Sequence, residues 1–279
     1  MSHTSATEAA RSPDGDAKFA TLRHARRVWA VASIHGDADR LARLQDDIYD
    51  RFAPHDRLVY LGNWLGHGHD VRRTVDYMLA FRLAVLALPG MEPWDVVFLR
   101  GAQEEMWQKL LQLQFATAPV DVLSWLLQQG VEPTLRAYGG SVEEGNVAAR
   151  DGPVALTRWT SGLREAMNHT PGHAALMSSL RHAALTDDGN LLFVSAGLDP
   201  DRPLDAQGDA FWWGDHGFDS IAGPYDGFRM VVRGFIRSHD GIEATPFTTS
   251  IDGGCGFGGS LMAVCFSPDG EIMERLEVR

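Results

Sequence analysis

Apolar positions fall into short runs that stop at glycine-rich turns and are followed by stretches of helical spacing. The first run lies in residues 28–37, Val-Trp-Ala-Val-Ala-Ser-Ile-His-Gly-Asp, after which Leu41, Leu44, Ile48 and Phe52 recur at three- and four-residue intervals. This predicts a buried strand, a tight turn and an amphipathic helix, with polar side chains offered at the strand's carboxyl end. Residues 58–62 repeat the pattern: a strand, a glycine-rich loop over 62–69, and a helix from Asp70 to about Leu88 that Pro89 and Gly90 end. A third unit has a strand at 96–100, a turn at 101–105 and a helix with Met106, Leu110 and Leu113 on one face. Three such units in succession predict a layered α/β architecture.

From about 114 to 185 the pattern is helical and loop-like, with turns at 139–140, 151–153 and 170–172, and is expected to form an insertion over one edge of the site. Strands are expected at 191–194, 229–232, 248–251 and 261–266, with a turn at 268–270 leading to a last strand near Ile272. Residues 1–26 are rich in small and polar residues without apolar periodicity. They read as a disordered tail before a single domain over 27–279.

Composition narrows the partners. With 279 residues and 44% hydrophobic content the chain can bury a full core, and a net charge of −12 argues against a nucleic-acid or anionic-membrane partner. The best candidate span, 77–88, is broken by Arg82 and followed by Pro89, so no membrane crossing is expected. Two cysteines, Cys255 and Cys265, and no basic-then-apolar leader pattern point to a reducing cytoplasm.

The turn at 32–36 resembles the Gly-Asp-x-His-Gly motif of the calcineurin-like metallophosphatases, in the branch of bacterial serine/threonine phosphatases and diadenosine tetraphosphatases, with Ala32 and Ser33 where the family has Gly and Asp. Further motifs follow in the family's order. Residues 62–68 are similar to Gly-Asp-x-x-Asp-Arg-Gly, 100–104 to Arg-Gly-Asn-His-Glu, and 193–200 to Phe-Val-His-Ala-Gly-x-x-Pro. Residues 231–235 resemble Val-Val-His-Gly-His, and 251–261 the terminal Asp-Thr-Gly-x-x-x-Gly-Gly-x-Leu. The resemblance implies two packed mixed β-sheets flanked by helices, and two bridging divalent metals (Mn, Fe, Zn or Mg) that orient phosphate and generate hydroxide.

Carried over by position, the family's ligands become Ser33, His35, Asn63, Ala102, Ser195 and Phe235, so His35 alone is retained. The acid histidine corresponds to Gln103, which cannot exchange a proton near neutral pH. One phosphate-binding arginine becomes His67, and another corresponds to Asp215. Without metals, buried aspartates would be unpaired anions in a low-dielectric pocket; Ser33 and Asn63 are neutral and Phe235 apolar.

Other residues invite chemistry and have plainer readings. His35 alone does not make a metal site, and His67 with His69 need not converge in a glycine-rich loop. His169 and His173 are separated by Pro171 and Gly172, which argues against one helix face. Residues 254–259 run from strand to strand and so lack the geometry of a phosphate loop. Glu104 and Glu105 suit a helix start through its dipole. Arg233 and Arg237 flank Phe235 and could hold a phosphate or carboxylate without metal. Cys255 is a possible nucleophile.

The resemblance and these losses together lead to the expectation of a pseudophosphatase, with no metal cofactor, that binds a protein partner or a small phosphorylated ligand. One alternative is a working phosphoesterase with a rearranged site using His35, Asn63 and Asp37 or Asp199. Another is a structural subunit whose cleft is plugged by Phe235 and Trp64.

Overall fold

In this computed structural model, residues 18–214 and 217–279 are described. The chain opens with β1 (Phe19–Leu22) and β2 (Arg27–Val31), then α1 (Ala38–Tyr49), β3 (Asp56–Tyr60), α2 (Val71–Leu86), β4 (Val96–Phe98) and α3 (Ala102–Leu111). A helical stretch follows: α4 (Pro119–Gln128), α5 (Glu132–Ala137), α6 (Val142–Asp151), α7 (Pro153–Asn168) and α8 (His173–Ser178). The last third holds β5 (Ala183–Thr186), β6 (Leu191–Val194), α9 (Ala210–Trp213), β7 (Met230–Arg233), β8 (Gly241–Ala244), β9 (Thr248–Asp252), β10 (Leu261–Phe266) and β11 (Ile272–Val278).

The strands form two sheets, ordered β11-β10-β2-β3-β4 and β1-β5-β6-β7-β9-β8. β2, β3 and β4 are parallel, as are β6, β7 and β9, while β10 and β11 add antiparallel strands. Strand alternation sorts the side chains. Val28 and Ala30 of β2 face the second sheet, together with Phe193, Val232, Val264 and Phe266, whereas Trp29 and Val31 face the helices with Leu41, Leu44 and Ile48. A third cluster covers the far face of the six-stranded sheet, where Val194 and Val231 meet Phe211, Trp212 and Phe218. This is the expected α/β class, with two mixed sheets flanked by helices.

Three elements differ from the sequence reading. β1 pairs in parallel with β5 and buries Leu22 between the sheets, so the reading of 1–26 as a tail is corrected for residues 18–26; residues 1–17 lie outside the described residues. β5 falls within the 114–185 stretch read as helical and loop-like, and α4 to α8 end before it. β8 is a partly exposed edge strand whose residues, Gly-Ile-Glu-Ala, carry little strand signal. Among the described residues no helix is long and apolar enough to cross a membrane.

Candidate functional site

The loops singled out in sequence converge at the carboxyl ends of β2, β3, β6 and β7, at the start of α3, and beside the turn between β9 and β10. Backbone hydrogen bonds fix them. Ile34 and His35 N–H donate to the Asn63 carbonyl at 3.1 and 2.8 Å, Ser33 N–H to the Gly234 carbonyl at 3.1 Å, and Gly234 N–H to the Ser195 carbonyl at 2.9 Å. His35, Asn63, His67 and His239 all hold left-handed backbone, with φ of 51°, 53°, 45° and 55°. Such conformations persist only where surrounding structure over-determines them, and they gather at functional sites.

Glu104 is the latch of this arrangement. Its side chain is fully buried; Oε2 accepts from the Asn63 and Gly101 N–H groups, both at 2.8 Å, and Oε1 from Trp64 and Leu65, both at 3.0 Å. Burial raises its pKa while the Leu65, Gly101 and Asn63 N–H groups oppose the shift. Helix-dipole reasoning placed Glu104 at the start of α3 and missed that it clamps the loop after β3. Gly62 is forced by the same packing: it has φ +86°, and a Cβ would lie 2.7 Å from both the Gly101 N and the Ser195 Oγ.

The carried-over positions are close together and mostly neutral. Ser33 Oγ donates to the Gly234 carbonyl at 3.0 Å and accepts from Asn63 Nδ2 at 3.4 Å, while Asn63 Oδ1 accepts from Gln103 N–H at 3.0 Å. Gln103 Nε2 donates to the Gln129 carbonyl at 2.8 Å. Ser195 is fully buried and its hydroxyl has no hydrogen-bond partner. Ala102 is the first residue of α3. Asp215 lies outside the described residues.

Around His35 the site is a cluster of rings. The imidazole is 2% exposed and neither nitrogen has a hydrogen-bond partner. Its centroid lies 5.0 Å from His67, 5.1 Å from Phe257 and 5.9 Å from Phe235, all edge to face. His239 stacks on Phe257 at 4.4 Å, and its Nδ1 meets Asp252 Oδ2 at 2.9 Å. Burial drives His35 well below the ordinary histidine range, with His67 and His239 adding to the effect; the nearby Leu65 backbone opposes it only weakly, without forming a hydrogen bond. Burial, and then His239, also lower His67. Asp252 is buried too, and its pKa is raised, although it accepts from Ile236 N–H at 2.9 Å and Gly254 N–H at 3.0 Å. His239, Asp252 and Phe257 are members of the site that sequence reasoning did not assign. Asp252 and Phe257 fall within the motif at 251–261, and nothing in the sequence marked His239.

Beside Phe235 is a cavity of about 380 Å³ lined by Arg233, Arg237, Trp213, Phe218 and Asp219 among others. Arg233 lies over the Phe218 ring and is engaged: Nε donates to Ser250 Oγ and Nη2 to Asp219 Oδ1, each at 2.7 Å. Trp64, expected as a plug, is buried instead in the helix-side core. Cys255 is no nucleophile: its thiol donates to the Ile34 carbonyl and burial pushes its pKa up to about 12. His173 is a structural residue, bonded to Tyr138 and Asp76, and it opens α8 while His169 ends α7.

Among solved structures, that of a candidate diadenosine tetraphosphatase superposes with a TM-score of 0.53 over 94% of this chain and 98% of its own, at 20% identity. The chain carries the calcineurin-like metallophosphatase fold. A Saccharomyces cerevisiae serine/threonine phosphatase similar to human PP5 (TM-score 0.48, 12% identity, 94% and 82% covered) also aligns with this metallophosphatase fold. So does a Sphaerobacter thermophilus metallophosphoesterase (TM-score 0.45, 15% identity, 91% and 89% covered); both scores are too low to bear on the assignment. No protein-family model and no curated protein matches the chain.

The fold family implies two divalent metals, and the residues present do not fit them. Ser33, Ala102, Ser195 and Phe235 supply no anionic or imidazole donor, and His35 faces rings. Among the described residues no three His, Cys, Asp or Glu side chains gather to hold an ion. Asp37 instead caps α1 and pairs with Arg40, and Asp199 pairs with Arg202.

Proposed function

We propose that this chain is a pseudophosphatase, a metallophosphatase-fold protein that works as a binding or regulatory module without hydrolysing phosphoesters. The observation that carries the reading is the ring cluster at the metal position, where His35 has no polar partner and touches Phe235, Phe257 and His67. A hard cation there would meet the edges of Phe235 and Phe257 and the imidazoles of His35 and His67, where a phosphatase centre needs several anionic ligands. The cavity next to Phe235 is the place for a small phosphorylated ligand or for a side chain of a protein partner, with Arg237 at its wall. A cytoplasmic setting fits the two buried free thiols.

The test is elemental analysis of the purified chain before and after incubation with manganese and removal of excess ion, alongside assays with simple phosphate esters. Less than about 0.1 equivalent and no turnover are expected. One or two tightly held equivalents, with turnover that His35→Ala abolishes, would overturn the proposal and revive the working enzyme.

A further inference from the structure

A second, larger cleft lies at the β1 and β4 edge of the sandwich, away from the ring cluster. It encloses about 740 Å³, within the range of small-molecule sites. It is lined by the edge strands of the two sheets, with Ala20 of β1 and Val96 to Phe98 of β4, by Trp94, and by residues of α2 and α8. The backbone there is secured, since Arg181 N–H donates to the Phe98 carbonyl at 2.9 Å and Arg100 N–H to the Arg181 carbonyl at 2.8 Å.

Charge sets this cleft apart. The chain carries a net −12, yet no carboxylate is among the residues lining the cleft, and Arg82 stands on its α2 wall. Arg82 is half-buried and makes no ion pair among the described residues; Nη2 donates to the Pro93 carbonyl at a long 3.3 Å. A guanidinium whose one hydrogen bond is long and solvent-exposed retains its capacity for a planar anion, and the half-buried Trp94, next in sequence to its Pro93 partner, adds an aromatic ring to the same lining. The geometry points to a binding site for an amphipathic carboxylate, an alkyl or aryl acid whose head meets Arg82 and whose body lies along Trp94 and Leu79.

The probe is 8-anilinonaphthalene-1-sulfonate, an aromatic anion, titrated by fluorescence into the full chain. One saturable equivalent is expected, displaced by decanoate and not by the same concentration of 1-decanol. Arg82→Glu should weaken binding of both anions by roughly ten-fold or more, the worth of a charge-assisted hydrogen bond. Trp94→Ala should weaken it too, while Phe115→Ser, at an 81% exposed apolar residue, should leave it unchanged. If circular dichroism shows that Arg82→Glu does not fold, Arg82→Gln gives the same reading with a milder change. Equal displacement by decanol, unaltered binding in the folded Arg82 variant, or loss of binding in Phe115→Ser would each overturn the assignment.

Discussion

At the scale of the residue, a single carboxylate and a single imidazole account for much of the site's behaviour. Removing the Glu104 side chain leaves four backbone N–H groups without an acceptor in a dry pocket. Glu104→Ala is therefore expected to cost about 3 kcal/mol or more, read as a loss of unfolding free energy in a denaturant titration. His35 sets a pH dependence. Its pKa in the folded chain is held well below the ordinary 6.5, so as the pH falls the unfolded chain takes up the proton first. The stabilising contribution is complete above 6.5 and is lost as the pH drops from there towards the depressed folded value. Glu104 and Asp252, raised by burial, act in the opposite sense, in windows that extend upward from their ordinary 4.5 and 3.8. The comparison that isolates the histidine is His35→Asn, which suits left-handed backbone; below pH 6.5 its stability should depend on pH less steeply by up to about 1.4 kcal/mol per unit. An unchanged slope would mean that His35 is protonated in the folded chain.

At the scale of the element, β1 and the turn between β9 and β10 are informative. If residues 18–26 were a loose tail, truncating Leu22 would cost nothing; packed fully buried between the sheets, Leu22→Ala should lower stability by about 2–4 kcal/mol. Gly256 has φ +85°, and a Cβ there would come within 2.4 Å of the His35 Cβ. Gly256→Ala should therefore strain the turn by roughly 1–3 kcal/mol and lift Phe257 from the ring cluster, detectable as altered His35 and His239 imidazole resonances. The long, strongly apolar strands and the turns behind them were legible in sequence because each carries its own period and its own stop signal. β1 was not, since four residues, Phe-Ala-Thr-Leu, are too few to show a period, and their burial depends on β5 more than 150 residues away. The identities of Ser33, Asn63, Ala102, Ser195 and Phe235 could be read position by position. The rings around His35 could not, because Phe257 and His239 reach the cluster only through tertiary packing, and the Glu104 clamp is equally silent until the loop it holds is seen.

At the scale of the whole molecule, the fold and the lack of a donor set among the described residues make separate statements, one about shape and one about chemistry. If a metal centre formed at a concentration a hundred times its dissociation constant, linkage would add about 2.7 kcal/mol and raise the melting temperature by roughly 5–10 °C. Millimolar manganese or zinc is expected to leave the melting temperature of this chain within about 1 °C of its metal-free value. One further property follows from strand order. β2 lies between β3 and β10, and its pairing of Val31 with Ala263 joins positions more than two hundred residues apart. During synthesis on the ribosome the first sheet thus stays unclosed until residues 261–266 have emerged, a slow and non-local route. Truncated chains that end before Leu261 leave β2 as an open apolar edge, and these are the forms expected to aggregate or to require a chaperone.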